Sequence, residues 1–518
     1  MKHWPILTTA DREDGHLLES AATVATSQWR AALAVAAFVA MSFVAISCRS
    51  FWIDEAATAV QAMQPTLGSW WQVLAQEKSA HLQMPLYMFY MWAYEKLFGS
   101  SEWTLRVANL PWFVAGAVAF TLAFPPGDRR RPIAACVVLL CPFAWYYLDE
   151  ARPYAMQLGA SLLVVASLVH LGEGSGEAKA GDAVHVALFL FGLVALSGSS
   201  LTGMVWAGAG LAAVPTLLSW PRLVGLVKRY AFLWLAAAGL LLLLAGYYLW
   251  TLTVGARASA AATTTWGSVF FVGYELLGFG GLGPGRLELR SAGPAALRGY
   301  WMWLALYAVT VAILMGAALL HEVRGGNRKH LVVALWCSVP AAFILGVGYV
   351  EHFRVLGRHF APFVPVLLLL CTSGLCILWS RGSAWARGVA LLFCILGLVS
   401  SLSLRFAQRH ERDNYRAAAA SARTALRNGQ SVWWNAAPEG ARYYGVPLTT
   451  RPGSAGAALL VLNPTPETLK GLPAPQVIVA SKQDVYDRQL SLAEYVRGQS
   501  FHPAGRFNAF VIWARSEN

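Results

Sequence analysis

Long apolar stretches separated by short polar turns dominate the first 404 residues of the chain. A helix needs about 20 mostly apolar residues to cross a bilayer, and about eleven windows meet that need. They lie near residues 31–49, 106–124, 132–148, 154–171, 183–199, 203–219, 231–252, 300–320, 331–349, 361–379 and 386–404. The pattern predicts an α-helical polytopic membrane protein with about eleven transmembrane helices, which follow a polar, cytoplasmic segment over residues 1–30.

The pattern changes after residue 404, where shorter segments of mixed polarity follow one another. Helical and strand-like segments alternate there, which is typical of a small α/β domain. The predicted helices are 413–429 and 490–497, and the predicted strands are 431–435, 459–462, 476–480 and 507–514. We therefore divide the chain into a transmembrane domain over residues 31–404 and an α/β domain over residues 405–518.

The basic residues predict the orientation of the helices. One set of alternate short turns carries Arg129 to Arg131, Lys228, Arg229, Arg324 and Arg328. Short loops rich in Lys and Arg stay in the cytoplasm. The longer opposite loops, residues 50–105 and 253–298, and the α/β domain then lie on the other side, which we call the outer side. The predicted location of the protein is the bacterial inner membrane, with the active site and the α/β domain on its extracytoplasmic face.

Composition narrows the class of protein. Hydrophobic residues make up 57% and charged residues 13% of the chain, and the net charge is +13. Soluble domains average about 25% charged residues, so an ordinary soluble enzyme and a disordered chain are excluded. In a membrane protein the basic excess marks cytoplasmic loops and contact with membrane lipids, so no nucleic-acid partner is expected.

Charged residues of the predicted outer side form three groups next to the apolar windows. The first is Asp54 with Glu55, which either caps a short helix over residues 54–64 or supplies a general base. The second, Asp149-Glu150-Ala151-Arg152, either forms a structural ion-pair cluster or completes a site with Asp54. The third contains Arg354, Arg358 and His359, and arginines there suit either a phosphate or lipid headgroups.

Two further outer segments carry candidate chemistry. His81 precedes Pro85, which predicts the first turn of an aromatic interfacial helix reaching Leu97; the histidine suits a hydrogen bond or a metal ion. The glycine-rich stretch 274–286 lacks both the P-loop and the dinucleotide-binding pattern, so no nucleotide cofactor is expected. It is either a lid that faces the acceptor or a plain loop.

Four of these passages together resemble the membrane glycosyltransferases of family 39, within the GT-C superfamily. This group includes protein O-mannosyltransferases and aminoarabinose transferases. The similar passages are Trp52-Ile53-Asp54-Glu55-Ala56, Met84-Pro85-Leu86-Tyr87 with the following run from Phe98 to Arg106, Glu150-Ala151-Arg152-Pro153-Tyr154, and Gly357-Arg358-His359 with Pro362 and Pro365. The family usually has tandem prolines where this chain has Met84 and Pro85.

The resemblance implies transfer of a sugar, with inversion, from a polyprenyl-phosphate donor to a hydroxyl of a lipid, glycan or protein acceptor. Asp54 would be the general base, and Glu55 would orient it or help to hold a cation. Arg152, Arg358 and Arg354 would bind the donor phosphate. The candidate substrate-binding residues are His81, Tyr87, Glu150, Tyr154 and His359. A divalent metal is an expected cofactor, with His81 and Glu55 as its candidate ligands.

Two other functions fit the composition. A transporter or flippase of polyprenyl-linked glycans would place charges deep within its spans and show paired repeats, and the sequence shows neither. A non-catalytic assembly protein would use its outer carboxylates only as helix caps. The enzyme hypothesis requires instead that Asp54, Glu150, Arg152 and Arg358 meet at one reacting centre.

Overall fold

A computed structural model describes residues 29, 31–173, 181–255, 263–325 and 329–515 of the chain. The predicted cytoplasmic segment 1–30 lies outside the described residues except for Trp29. Within the described part of the transmembrane domain, regular secondary structure is helical.

The helices of this domain follow one another in the order of the predicted windows, with three extra helices in the first long loop and others in later loops. In chain order they are α1 (Ala31–Ala45), α2 (Ile53–Ala62), α3 (Leu67–Glu77), α4 (Pro85–Phe98), α5 (Glu102–Val107), α6 (Leu110–Leu122), α7 (Arg130–Leu139), α8 (Pro142–Leu148), α9 (Tyr154–Glu173), α10 (Asp182–Ser199), α11 (Leu201–Leu217), α12 (Trp220–Arg229), α13 (Ala231–Thr253), α14 (Trp266–Leu276), α15 (Arg286–Ala292), α16 (Trp301–Gly325), α17 (Lys329–Val350), α18 (Val364–Ser380) and α19 (Ala384–Phe406). Short 3₁₀ turns cover Ala80–Gln83, Phe279–Gly281, Gly293–Tyr300, Gly357–Phe363 and Gln408–His410.

Each of the eleven predicted windows coincides with an apolar helix or helix pair in the described residues. Eight spans are long and apolar enough to cross a membrane, and the pair α7–α8, bent by 48°, supplies a ninth. The helices α1 and α11 are apolar but shorter than these. The prediction of a polytopic helical membrane protein is therefore confirmed.

Helix α9 is the centre of the bundle. Of its apolar window 94% is buried inside the protein, against 11% for α13, which presents its surface to the surroundings. Close packing of α9 on α6 depends on two glycines. A Cβ at Gly116 would lie 2.4 Å from the carbonyl oxygen of Gly159, and a Cβ at Gly159 would lie 2.1 Å from that of Trp112. This contact fixes the start of α9, which begins at Tyr154, two residues after Arg152.

The C-terminal domain is a mixed sheet with helices on both faces. Its strands are β1 (Val432–Asn435), β2 (Leu448–Thr449), β3 (Ala458–Leu460), β4 (Val477–Ser481), β5 (Phe501–Phe507) and β6 (Phe510–Arg515), and its helices are α20 (Tyr415–Arg427), α21 (Pro438–Tyr443), α22 (Pro466–Lys470), α23 (Gln483–Tyr486) and α24 (Ser491–Gly498). The strand order is β2-β3-β1-β4-β6-β5, and β6 and β5 are antiparallel to their neighbours. Along β1, Trp434 faces the cluster with α20 and Trp433 the cluster with α24.

This arrangement confirms the predicted small α/β domain and adds elements that the pattern did not reveal. The predicted helices and strands coincide with α20, β1, β3, β4, α24 and β6, within a few residues at their ends. The strand β5 was missed because it contains Pro503 and Gly505, which are rare in central strands. Both are tolerated here since β5 pairs on one side only, at the edge of the sheet.

The C-terminal domain is docked on the first long loop. The hydroxyl of Tyr444 accepts a hydrogen bond from the backbone N–H of Phe51 at 2.8 Å and donates one to Glu102 at 2.9 Å. The hydroxyl of Tyr443 donates to the carbonyl of Ser100 at 2.7 Å. Helix α21 packs on α2, the helix that carries Asp54. The domain therefore holds the loop that carries the predicted catalytic residues.

Candidate active site

The predicted site residues Asp54, Arg152, Arg358 and Glu150 meet at one end of the bundle. They come from the start of α2, the turn between α8 and α9, and the 3₁₀ turn before α18. A guanidinium nitrogen of Arg358 lies 3.0 Å from a carboxylate oxygen of Asp54, and one of Arg152 lies 3.4 Å from the backbone oxygen of Asp54. The close approach that the enzyme hypothesis requires is therefore present for Asp54, Arg152 and Arg358, and Arg358 is also near enough to Glu150 to act on its charge.

Asp54 lies in the first turn of α2 and is the partly accessible carboxylate of this centre. Its side chain is 27% exposed, whereas that of the neighbouring Glu55 is fully buried. Burial alone would raise the pKa of Asp54, but the positive charges of Arg358 and Arg152 outweigh it and hold the pKa below the usual value. Asp54 is therefore ionised at neutral pH and able to accept a hydrogen bond or a proton.

Arg358 is held between the rings of Trp52 and Tyr154. The centre of its guanidinium lies 5.6 Å from the first ring and 5.5 Å from the second, within the range of cation–π attraction. Its Nε–H group is buried and has no hydrogen-bond acceptor among the described residues. Arg358 thus keeps a free donor beside the one that it gives to Asp54.

Arg152, which contacts the backbone oxygen of Asp54, also keeps a free donor. Its Nη1 donates to the hydroxyl of Thr58 at 3.0 Å and lies 2.8 Å from Nε2 of His81. Because an arginine can only donate, His81 Nε2 accepts here. Burial lowers the pKa of His81, which keeps the ring neutral for this role. The Nε–H of Arg152 and the hydroxyl of Tyr87 are buried without a partner in the described part of the chain.

Glu55, predicted beside Asp54 as a catalytic residue, is instead fully occupied by structural contacts. Its two carboxylate oxygens each accept from Arg106 at 2.8 Å. Arg412 donates to it at 3.2 Å, and so does the backbone N–H of Ala151 at 2.9 Å. These contacts tie α2 to α5, to the turn before α9 and to the segment before α20. Glu55 therefore orients the helix that carries Asp54.

Asp149 and Glu150 are neighbours in sequence, but the surroundings of their two carboxylates differ. Asp149 accepts hydrogen bonds from the backbone N–H of Ser47 at 2.6 Å and from its hydroxyl at 2.9 Å. Both carboxylate oxygens of Glu150 are buried and accept no hydrogen bond from the described residues. Two arginines lie close enough to balance the charge of Glu150, Arg412 at 3.7 Å and Arg286 at 3.9 Å. Burial raises the pKa of Glu150.

Three residues of this network had no predicted role. Arg106 ends the motif passage that begins at Phe98, but nothing in the sequence around it indicates which carboxylate it pairs with. Arg286 lies in the glycine-rich stretch, where it donates to Glu275 at 2.5 Å and to the hydroxyl of Tyr147 at 3.1 Å. Arg412 comes from the segment before α20 and also donates to the carbonyl of Asp149 at 2.5 Å. The contacts of Arg106 with Glu55, of Arg286 with Tyr147 and of Arg412 with Asp149 span 51, 139 and 263 residues, so no local sequence signal could have found them.

The other predicted residues of the late turn are placed differently. Arg354 is exposed, and its side chain forms no hydrogen bond or ion pair within the described ranges. His359 uses Nδ1 to accept from the backbone N–H of Leu356 at 3.1 Å and so caps its own turn. Tyr154 is buried beneath Arg358. Phosphate binding by Arg354 and substrate binding by His359 stay predictions.

The two candidate metal ligands do not combine into a metal site. The carboxylate of Glu55 is saturated by two arginines, and His81 presents its Nε2 lone pair to Arg152. Among the described residues, no group of three or more His, Cys, Asp or Glu side chains could hold a metal ion. The positive charges at this centre are guanidinium groups.

The helical bundle, the helical first loop and the C-terminal α/β domain together form a GT-C-like fold. The structure of ArnT from Cupriavidus metallidurans in the apo state is similar to this chain, with a TM-score of 0.54 and 15% identity over 95% of this chain and 100% of ArnT. ArnT bound to undecaprenyl phosphate is similar with a TM-score of 0.50, 15% identity and the same coverage. Arabinofuranosyltransferase AftD from Mycobacteria gives a TM-score of 0.46 and 13% identity over 95% of this chain and 40% of AftD. No family model and no curated protein sequence matches the chain.

Proposed function

We propose that the protein transfers a sugar, with inversion, from a polyprenyl-phosphate donor to a hydroxyl acceptor on the outer face of the cytoplasmic membrane. The observation that carries this proposal is the contact between Asp54 and Arg358, with Arg152 beside it. A carboxylate held ionised can take the proton of a hydroxyl, and two arginines with free donors can hold a phosphate. The fold shared with undecaprenyl-phosphate-bound ArnT supports a lipid phosphate as the ligand.

The reaction needs one displacement. The acceptor oxygen attacks the anomeric carbon on the face opposite the phosphate, the bond from that carbon to the phosphate oxygen breaks, and the electron pair leaves with the lipid phosphate. Asp54 receives the hydroxyl proton. Arg358 and Arg152 stabilise the negative charge that develops on the leaving phosphate, and preorganised donors of this kind contribute a few kcal/mol each.

An apolar groove beside the centre fits the isoprenoid chain of such a donor. Side chains of α4, α10 and α13 form it, among them Leu86, Val194 and Leu240, and the groove, which is open on one side, has a volume of about 700 Å³. The groove reaches Pro85, and the sulfur of the preceding Met84 lies 3.8 Å from Arg152. A lipid chain in this groove would therefore end at the arginines.

Analysis of cell-envelope lipids tests this function. We expect a deletion strain to accumulate a polyprenyl-phosphate sugar and to lose one glycosylated envelope component, both detected by mass spectrometry. Wild-type protein restores the product. If the protein were a flippase, its deletion would instead leave the lipid-linked sugar on the cytoplasmic leaflet, where externally added periodate does not reach it in sealed cells. That distribution would contradict the transferase.

Replacing Arg358 with alanine is expected to raise the KM of the lipid donor about 10–100-fold, because a charge-assisted hydrogen bond to phosphate is lost. The KM of the acceptor should change much less. Arg354→Ala is the matched control, since Arg354 is exposed and four residues away. Equal effects of the two substitutions on the donor would contradict the assignment of Arg358, and a donor effect of Arg354→Ala alone would move the phosphate to that residue.

We further propose that the guanidinium groups of Arg358 and Arg152 take the place of a divalent metal in neutralising the phosphate. Addition of EDTA to the purified protein should therefore leave the transfer rate unchanged. Loss of activity in EDTA that Mn²⁺ or Mg²⁺ restores would show that a metal takes part.

A further inference from the structure

A second cavity lies beside the Asp54 centre and has no role in the mechanism above. It is a cleft of about 460 Å³, partly open to solvent, between α8, α14, α15 and the 3₁₀ turn that contains His410. Tyr147 forms part of its wall and packs on Tyr154, the ring beneath Arg358, with ring centres 5.1 Å apart. The cavity is therefore a neighbour of the reacting centre, separated from it by aromatic side chains.

Aromatic rings form much of the wall. Phe143, Tyr146, Tyr147 and Tyr274 all border the cavity. Binding sites of small molecules combine apolar and aromatic walls with a few placed polar groups. Tyrosine rings offer a flat apolar face to the C–H groups of a sugar ring and a hydroxyl at the edge.

Two polar atoms of the lining residues lack a partner within the described ranges: Nε2 of His410 and the hydroxyl of Tyr274. His410 is only 8% exposed, and burial together with nearby arginines lowers its pKa to about 4, so its ring is neutral. Buried polar groups of native proteins nearly always have a partner. Both atoms are uncharged hydrogen-bonding groups of residues that line the cavity.

The charged groups of the cavity favour a neutral ligand. Glu275 and Arg286 line it as an ion pair whose atoms are 2.5 Å apart, so their charges largely cancel. An anion would have to face the carboxylate of Glu275, and a cation the guanidinium of Arg286. A polyhydroxy ligand can instead donate to the first and accept from the second.

We propose that this cavity binds a carbohydrate ring of the donor or of the acceptor. The proposal rests on the proposed transfer only for the source of the sugar. A direct link joins the two sites, because Glu275 accepts from the backbone N–H of Gly357 at 2.9 Å and Gly357 precedes Arg358. A ring hydrogen-bonded to Glu275 is thereby placed relative to the arginine that contacts Asp54.

Saturation-transfer NMR on the full-length protein in phosphatidylcholine nanodiscs tests the proposal, with methyl glycosides of mannose, glucose, galactose and arabinose as probes. We expect at least one to bind and Tyr274→Phe to weaken it about fivefold, the loss of one neutral hydrogen bond. This variant removes a hydroxyl without a protein partner, so it leaves the fold intact. Tyr415→Phe, the same change inside the C-terminal domain, is the matched control and should leave binding unchanged.

Absence of binding by all four glycosides would overturn the proposal. So would binding that Tyr274→Phe leaves unchanged and Asp54→Asn removes, because the sugar would then occupy the reacting centre. Glycoside binding that depends on Tyr274 in a protein that shows no transfer would uphold the cavity and refute only the proposed function. In a transfer assay, a higher KM of the Tyr274→Phe variant for the acceptor or for the donor identifies the source of the ring.

Discussion

Replacing Asp54 with asparagine is expected to slow sugar transfer about 10²–10⁴-fold, the usual contribution of a general base. Asparagine keeps the shape of the side chain but cannot accept the proton of the hydroxyl. Transfer in reconstituted vesicles measures the effect, together with the thermal unfolding of the variant. The unfolding temperature should stay close to that of the wild type, because Asp54 forms one partly exposed ion pair and Glu55 holds the helix.

Asp484→Asn is the control for this substitution. Asp484 is 61% exposed, forms an ion pair with Arg290 and touches none of the residues around Asp54 that the structure describes. The Asp484→Asn variant should transfer sugar at the wild-type rate. Activity of Asp54→Asn within a few-fold of the wild type would remove Asp54 from the role of base.

The pH dependence of the transfer rate should follow the protonation of Asp54. Arg358 lowers the pKa of Asp54, so the base stays ionised from neutral pH down to below its ordinary pKa of about 4. In the Arg358→Ala variant, the lowering charge is gone and burial raises the pKa, so the acid limb of the rate profile should move to higher pH. A limb that stays in place would show that another group controls it.

Replacing Arg106 with leucine is expected to destabilise the protein by about 3–5 kcal/mol, because it leaves buried charge without its partner. Arg106 and Glu55 are both fully buried, and Arg106 also lies 3.7 Å from Asp149. Thermal unfolding in detergent and the monodisperse fraction on gel filtration measure the loss. The double variant Arg106→Leu/Glu55→Leu should recover part of it, since replacing a whole buried pair costs less than breaking it.

Arg416→Ala is the comparison for a superficial ion pair. Arg416 is 49% exposed and forms an ion pair with Glu102 at 2.6 Å. Its loss should therefore lower the free energy of unfolding by no more than about 1 kcal/mol. Equal destabilisation by Arg106→Leu and Arg416→Ala would contradict the central position of the Arg106–Glu55 pair. It would also remove the reason to assign Glu55 an orienting role.

Local pattern was sufficient for most of the helices and for part of the site. The helix predicted over residues 54–64 is α2, and the aromatic helix predicted from Pro85 is α4. Both predictions depend on periodicity and on residues within a few positions, which is the range of helix-forming forces. The motif passages also identified Asp54, Arg152 and Arg358, which the fold then brings together.

The division of labour among the carboxylates could not be predicted. Asp54 and Glu55 are adjacent in sequence, yet one is partly accessible and the other is enclosed by Arg106 and Arg412. The helical turn points neighbouring side chains in different directions, and distant chain segments decide what each one meets. Glu150 likewise owes its raised pKa to burial by distant segments, which outweighs the lowering effect of Arg412 and Arg286 from two other elements.

The sequence by itself determined that this is a membrane protein of about eleven apolar helices with a small α/β domain, because hydrophobic length and periodicity act locally. It also determined which segments carry charge beside the membrane. Only the tertiary structure decided which charges pair, since Arg412 reaches Glu55 across 357 residues and Arg358 reaches Asp54 across 304. Ion pairs and hydrogen bonds act over a few ångströms, so only packing creates them.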